Sequence, residues 1–195
     1  MNLDKLAVAA ARDRQVFGQL YDALYSRIYN YIRYRCDDPA SADDLTAQTF
    51  EKLLGAVQTY DPGRGPFEPY VFAVARNLVS SHHRRQGLRA WLPWEAFQRQ
   101  SDPGPQPEEA VLLREAESAL LEALKELKPQ QRDLLGLKYG SGLSNPQIAA
   151  LTGLSEGNVA VILHRAVEAL RARVTLPLST ETSRPGRTEA EHVGK

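Results

Sequence analysis

Leu143-Ser144-Asn145-Pro146-Gln147-Ile148-Ala149-Ala150-Leu151-Thr152-Gly153-Leu154-Ser155-Glu156-Gly157-Asn158-Val159 is the stretch from which the fold is read. Ser144 and Gln147 make a Ser-x-x-Gln capping pair, and Pro146 suits the first turn of a short helix. Gly153 turns the chain where a side chain would be costly, and Ser155 caps a longer helix running to about Arg173. The inward stripe of that second helix is Val159, Leu163, Ala166 and Leu170. Small Ala149 lets the two helices approach, while Ile148, Leu154, Val159 and Leu163 fill the wedge between them. A short helix, a glycine turn and a second helix constitute a helix-turn-helix. With DNA as ligand, the second helix enters the major groove, Ser155, Glu156, Asn158 and Ala160 lie near base edges, and Arg165 lies nearer phosphate. Packing alone explains every apolar position, so the motif by itself leaves open a helix pair that binds no DNA.

Apolar spacings of three and four recur on both sides of this motif, and no stretch keeps a period of two, which predicts an all-α fold. Phe17, Leu20, Leu24, Ile28, Tyr31 and Ile32 form one stripe, ending near Cys36-Asp37-Asp38-Pro39. A second helix is expected from Ser41, with Asp44 three residues on, burying Leu45, Phe50, Leu53, Leu54 and Val57. A third follows the Asp61-Pro62-Gly63-Arg64-Gly65-Pro66 loop, from about Phe67 to Arg85. Beyond the centre, an acidic helix opens at Glu108, and Pro129 starts another over Gln130 to Tyr139. Three alternating prolines, Pro103, Pro105 and Pro107, favour extended chain between the two halves. The predicted organisation is two small helical domains, 10–92 and 108–174, joined by a Pro-rich linker, 93–107, and followed by a disordered tail, 175–195.

The 195 residues carry 24 Lys plus Arg against 24 Asp plus Glu. That balance excludes a general nucleic-acid coat or a polybasic membrane binder. The charges are segregated, however: net +4 over 76–100, net −5 over 101–127 and net +3 over 128–174. No apolar run approaches the roughly 18–20 residues of a membrane span, so no membrane insertion is expected. Met1-Asn2-Leu3-Asp4-Lys5 does not open a secretory signal, and a single cysteine, Cys36, forms no internal disulfide; a cytoplasmic location is the expectation.

Two further clusters carry chemistry. Residues 76–89 hold Arg76, Arg84, Arg85 and Arg89 with Asn77, Ser81, His82 and His83 and no acid, a face suited to a polyanion. Phe67, Tyr70 and Phe72 just upstream are aromatics of the sort that stack on unpaired bases. A solvated arginine face with Phe72 in the core is the plainer account of the same residues. Adjacent His82 and His83 point about 100° apart on a helix and lack a third ligand at useful spacing, so no metal is assigned. Asp37, Asp38, Asp43 and Asp44 bracket the start of the second helix, where carboxylates gain from the helix dipole or offer a docking surface to a basic partner. No phosphate-binding glycine loop and no nucleophile–base pair is visible, so neither enzymatic activity nor a cofactor is expected.

With these pieces in order, the chain resembles bacterial RNA polymerase sigma factors of the extracytoplasmic function (ECF) group, over about residues 12–92 and 108–174. Ala42-Asp43-Asp44-Leu45-Thr46-Ala47-Gln48-Thr49-Phe50 is similar to the family's region 2 segment that docks on the β′ clamp helices of core polymerase. The resemblance implies docking through Asp43, Asp44, Gln48 and Phe50. Phe67 through Leu78 resembles the loop and helix that open and read the promoter −10 element, implying contacts from Phe67, Tyr70, Arg76, Asn77, Ser81, His82, Arg84 and Arg85. A base flipped from the duplex would enter the Gly63 to Phe67 loop. The helix-turn-helix resembles region 4, which binds the −35 element and the β flap, implying contacts from Ser155, Glu156, Asn158, Ala160, His164 and Arg165. An anti-sigma factor is implied by the same analogy.

Two positions depart from the family pattern. Ala160-Val161-Ile162 stands where a Lys-Ser-Arg-like run is common, which thins the phosphate contacts, and Ser81 stands where many relatives carry Asp. An independent repressor or activator would share the helix-turn-helix, but it has no use for both the acidic docking helix and the arginine-rich segment. The acidic stretch around Glu108, Glu109, Glu115 and Glu117 is expected to mask the DNA-binding surfaces in the free chain.

Overall fold

The stripes fold as helices, most of them begun by a polar side-chain cap. The computed structural model describes residues 2–89 and 108–173, so the Pro-rich linker and the tail lie outside the described residues. Helix α1 (Leu3–Ala10) is capped by Asn2, whose side chain accepts from Lys5 N. Helix α2 (Arg14–Arg35) is capped by Asp13, and α3 (Pro39–Ala56) by Asp38, which accepts from Ser41 N at 2.7 Å. Two 3-10 turns, Val57–Thr59 and Pro62–Arg64, lead into α4 (Phe67–Arg89). The second half contains α5 (Glu108–Lys125), α6 (Pro129–Leu135), α7 (Asn145–Thr152) and α8 (Glu156–Arg171). No strand occurs among the described residues.

Three details differ from the expectation, each for a local reason. Leu3–Ala10, outside the stripes read from the sequence, is a helix that buries Ala7 and Ala10. Its Asp4 Oδ1 accepts from Tyr60 OH at 2.8 Å and from Phe67 N at 2.7 Å, tying the 61–66 loop and the start of α4 to the N-terminus. Helix α3 starts at Pro39 rather than Ser41, because Pro39 loses no hydrogen bond in a first turn and Asp38 is the better cap. The helix expected over Gln130 to Tyr139 ends at Leu135 and widens into a π turn, Gly136–Gly140, closed by Ser141 N on Gly136 O at 2.9 Å.

In the first unit, Leu20, Leu24, Ile28, Tyr31 and Ile32 of α2 pack with Leu45, Phe50 and Leu53 of α3 and Phe67, Val71, Phe72, Ala75 and Val79 of α4. In the second, Leu121, Leu124, Leu134, Leu137, Ile148, Val159, Leu163 and Ala166 form the interior. Burying each of the larger aliphatic and phenylalanine side chains contributes roughly 1.5–3 kcal/mol, which is what holds helices of this length together.

The two interiors join into one cluster. Helix α6 and the π turn lie along α2, and α7 meets α4. Polar contacts tie the same seam: Arg27 Nε donates to Ser141 O at 2.6 Å, Gln147 Nε2 donates to Glu68 Oε2 at 2.6 Å, and Arg35 Nη1 donates to Pro129 O at 2.9 Å. The acidic helix α5 lies against α2, where Leu120, Leu121 and Glu117 face Asn30, Arg33 and Tyr34. Glu117 therefore sits beside α2, and α5 also contacts α8.

Candidate nucleic-acid interface

Helices α3 and α4 lie side by side and leave an open groove of about 790 Å³ between them. Leu45, Gln48, Lys52 and Ala56 line its α3 wall, and Tyr70, Val74, Asn77, Leu78, Ser81, His82 and Arg85 line its α4 wall. The α4 residues recur at three and four, so one face of the helix delivers an aromatic ring, an amide, a hydroxyl, an imidazole and a guanidinium together. Tyr70 is 44% exposed at one end of the groove. Arg84, outside the groove lining, donates to Ser81 Oγ at 3.1 Å. The groove joins Gln48, read as a docking residue, to the predicted −10 set, and adds Lys52, which the sequence reading missed.

Two of the predicted −10 residues lie elsewhere. Phe67 is fully buried, 4.8 Å from the Tyr60 ring, so it is a core side chain at the base of the loop and offers no face to a flipped base. Arg76 points away from the groove toward the second unit, where its Nε donates to Asp133 Oδ2 at 2.8 Å. Burial works against its charge, but the hydrogen bond and the charge of Asp133 outweigh this and raise its pKa. His83 also faces the seam; burial, then the positive charges of Arg35, His82 and Arg132, lower its pKa.

On α3, Asp43, Asp44 and Gln48 are exposed, as a docking surface requires. Phe50 is not: it is 7% exposed, beneath Tyr21 at a ring separation of 4.4 Å. The rings that reach solvent there are Tyr21 and Tyr25, each nearly two-fifths exposed, with Leu54 at 45%. Tyr25 stacks on Tyr29 at 6.1 Å, so three tyrosines at i, i+4 and i+8 build a ladder beside the acidic rim of α3. That spacing was visible in the sequence, one position round from the buried Leu20, Leu24 and Ile28 stripe.

In the helix-turn-helix, Ser144 accepts from Gln147 N, and Gln147 Oε1 accepts from Ser144 N at 2.8 Å. Gly153 adopts φ +75°, the left-handed conformation that ends α7, and Ser155 Oγ accepts from Asn158 N at the start of α8. Ser155, Glu156, Asn158, Ala160, His164 and Arg165 are all exposed at the start and along the solvent-facing arc of α8. The Ala160-Val161-Ile162 run divides: Ala160 and Val161 face solvent, whereas Ile162 packs against the core. Only two of the three substituted positions therefore reach solvent.

Comparison with known proteins agrees with this geometry. The Sigma-70 region 2 family matches residues 20–100, and the Sigma-70, region 4 family matches residues 117–170. The chain is 34% identical over 173 residues to the ECF RNA polymerase sigma factor ShbA of Streptomyces griseus, covering 84% of this chain and 90% of ShbA. It is 33% identical over 162 residues to the ECF RNA polymerase sigma factor BldN of Streptomyces coelicolor, covering 83% of this chain and 61% of BldN. Among solved structures, CnrH in complex with the cytosolic domain of CnrY superposes with a TM-score of 0.64 at 25% identity, over 87% of this chain and 94% of CnrH. The Bartonella quintana sigma factor RpoE, solved with the anti-sigma factor NepR, shares the fold with a TM-score of 0.62 at 19% identity, over 80% of this chain and 94% of RpoE. Both halves of the molecule, in their order along the chain, place it in one family: the chain belongs to the ECF RNA polymerase sigma factors.

Proposed function

We propose that this chain binds core RNA polymerase and directs promoter-specific initiation, with region 2 docking and opening DNA at the −10 element and region 4 reading the −35 element. The observation that carries this reading is the coexistence, in one chain, of the α3–α4 groove, the acidic rim of α3 and an exposed recognition helix. Asp43, Asp44 and Gln48 meet a basic polymerase surface, with Tyr21 and Tyr25 beside them as apolar anchors. Asn77, Ser81, His82, Arg84 and Arg85 hold the backbone and base edges of the −10 strand, and Tyr70 stacks on an exposed base. On α8, Asn158, His164 and Arg165 supply polar contacts, while Ala160 and Val161 suit thymine methyl groups. The chain performs no bond-making step of its own; capture of unstacked bases offsets the cost of melting, a few kcal/mol per base. It acts in the cytoplasm, where polymerase and promoters are, and no described helix is long and apolar enough to cross a membrane. An anti-sigma protein is the fitting regulator, as the CnrH and RpoE complexes suggest by analogy.

Reconstitution with core polymerase followed by run-off transcription over genomic fragments tests this directly. The expected result is a stable complex that starts transcripts at discrete sites, with Asp44→Arg weakening the complex about tenfold or more by reversing a docking charge. Absence of a stable complex between wild-type chain and core enzyme would overturn the proposal.

A further inference from the structure

The loop Asp61-Pro62-Gly63-Arg64-Gly65-Pro66 leads into α4, whose first residue is Phe67. A helix leaves its first amides without backbone partners, and the residue just before it ordinarily supplies a side-chain acceptor. Pro66 has no side-chain oxygen to give. The acceptor comes instead from α1: Asp4 Oδ1 takes the Phe67 N–H at 2.7 Å, across 63 residues of chain. A carboxylate placed there also gains from the helix dipole. The same oxygen reaches the other end of the loop. Tyr60 OH lies 2.8 Å from Asp4 Oδ1 and 3.0 Å from Gly65 O, and its single hydrogen is shared between them. Burial, then the hydrogen bond to Asp4 and its charge, push the Tyr60 pKa up to about 12, so the hydroxyl keeps that hydrogen at neutral pH. The two rings that bracket the loop, Tyr60 and Phe67, meet edge to face at 4.8 Å.

The loop itself has little else to fix it. Residues 61 to 64 are exposed, and Gly65 holds φ +137° and ψ 168°, a conformation open essentially to glycine alone. Nothing lies within 4 Å of a Cβ built on Gly65, so packing does not impose that conformation. Inside the loop, Asp61 Oδ1 accepts from Gly63 N at 2.9 Å and Asp61 O accepts from Arg64 N at 3.0 Å. These bonds shape its first half and leave Gly65 to the ends. An exposed loop with two glycines gives up much backbone freedom when it is ordered, and a carboxylate oxygen bonded at both ends offsets that cost. The chain then runs directly into the groove, since Tyr70 lies one turn beyond Phe67.

We propose that Asp4 is a positioning residue for promoter opening: from α1 it holds both ends of the 61–66 loop and the first turn of α4, so that the loop and Tyr70 present one preformed edge to an unstacked −10 base. Asp4 acts through the loop and not on the DNA. Its role in opening rests on the function proposed above; its hold on the loop does not. A loop ordered before DNA arrives removes the ordering cost from the opening step, which is the general advantage of preorganisation. It also fixes which base is captured, because a loose loop accepts neighbouring bases with similar ease.

The test uses the full chain and three variants. Asp4→Ala removes the acceptor, Asp4→Asn keeps an oxygen in its place without the charge, and Tyr60→Phe keeps the ring and removes one donor. The first readout is the rate of tryptic cleavage at Arg64–Gly65 under native conditions, followed by mass spectrometry. Asp4→Ala is expected to keep wild-type helicity and to be cut there on the order of tenfold faster, the factor that goes with losing hydrogen bonds to a charged acceptor. Asp4→Asn is expected to recover most of the protection, with Tyr60→Phe in between. The second readout is opening by the polymerase complex, followed by permanganate reactivity, on a promoter found by run-off transcription and on its single-base variants along the −10 element. Asp4→Ala is expected to leave affinity for core polymerase unchanged, to open about tenfold more slowly, and to lose base discrimination at one −10 position while keeping it at the others. A general loss of stability slows every promoter alike and preserves those ratios. Unchanged cleavage in folded Asp4→Ala overturns the hold on the loop. Faster cleavage with unchanged opening, or slower opening with every ratio intact, overturns the positioning role. Should Asp4→Ala lose helicity, Tyr60→Phe carries the same comparisons with smaller factors. Wild-type chain that forms no complex with core polymerase overturns the proposed function and with it the role in opening, whereas the cleavage result still decides whether Asp4 holds the loop.

Discussion

Phe67 and Tyr70 sit three positions apart at the start of α4, and one turn of helix separates opposite fates. Phe67 is sealed between Tyr60 and the core, whereas Tyr70 stands 44% exposed over the groove. Phe67→Ala should therefore cost about 3–5 kcal/mol of stability, as large-to-small changes of buried aromatics do, and urea unfolding will measure it. Tyr70→Ala should change stability by no more than about 0.5 kcal/mol while reducing promoter opening, read by permanganate reactivity of the −10 thymines. Equal destabilisation by the two would show that Tyr70 is structural. Burial separates residues that composition alone treats alike: the sequence presents two aromatics beside a glycine-rich loop, and Phe67 is the one packed on Tyr60, with its amide held by the carboxylate of Asp4 from α1.

Helix by helix, the fold follows local chemistry closely. The Asp13, Asp38, Ser144 and Ser155 caps and the first-turn prolines Pro39, Pro129 and Pro146 each mark a helix start in the sequence. Where local signals competed, the stronger cap prevailed: Asp38 before a proline won over Ser41. The helix-turn-helix depends most on one such position. Gly153 holds φ +75°, a conformation costing an L residue roughly 1–2 kcal/mol. Nothing lies within 4 Å of a Cβ built there, so Gly153→Ala isolates the backbone term from any clash. It should lower stability by that amount, measured by thermal unfolding, with α8 contacts preserved. A loss of several kcal/mol would point to a packing role that this open surroundings does not suggest. The π turn at Gly136–Gly140 is the element the sequence did not announce. Nothing in residues 130–139 interrupts a helical pattern, and the widening is legible only from the close approach of Tyr31 to Gly136 and Gly140.

Across the whole molecule, the seam between regions 2 and 4 couples their stabilities. Arg132 is 8% exposed and donates to three acceptors at the end of α2, two of them backbone carbonyls. Arg132→Ala leaves those carbonyls without this donor, a loss of about 1–3 kcal/mol, as for a buried polar group deprived of its partner. The wild-type chain is expected to unfold in one calorimetric transition, and Arg132→Ala to resolve two as the regions melt apart. One unchanged transition in the variant would mean that the seam contributes little to cooperativity.

The sequence by itself determined the all-α fold, the helix-turn-helix, the family, and the exposed polar faces of α3, α4 and α8, because caps, turn glycines and apolar periodicity act within a few residues of one another. Tertiary structure decided what no such window contains: that Phe67 turns inward, that Leu54, expected in the core, turns outward, and that Arg76 meets a carboxylate 57 residues away. Pairing across that distance depends on which faces of the two units meet, and the free energy of that meeting comes from burial and charge complementarity that no local pattern encodes.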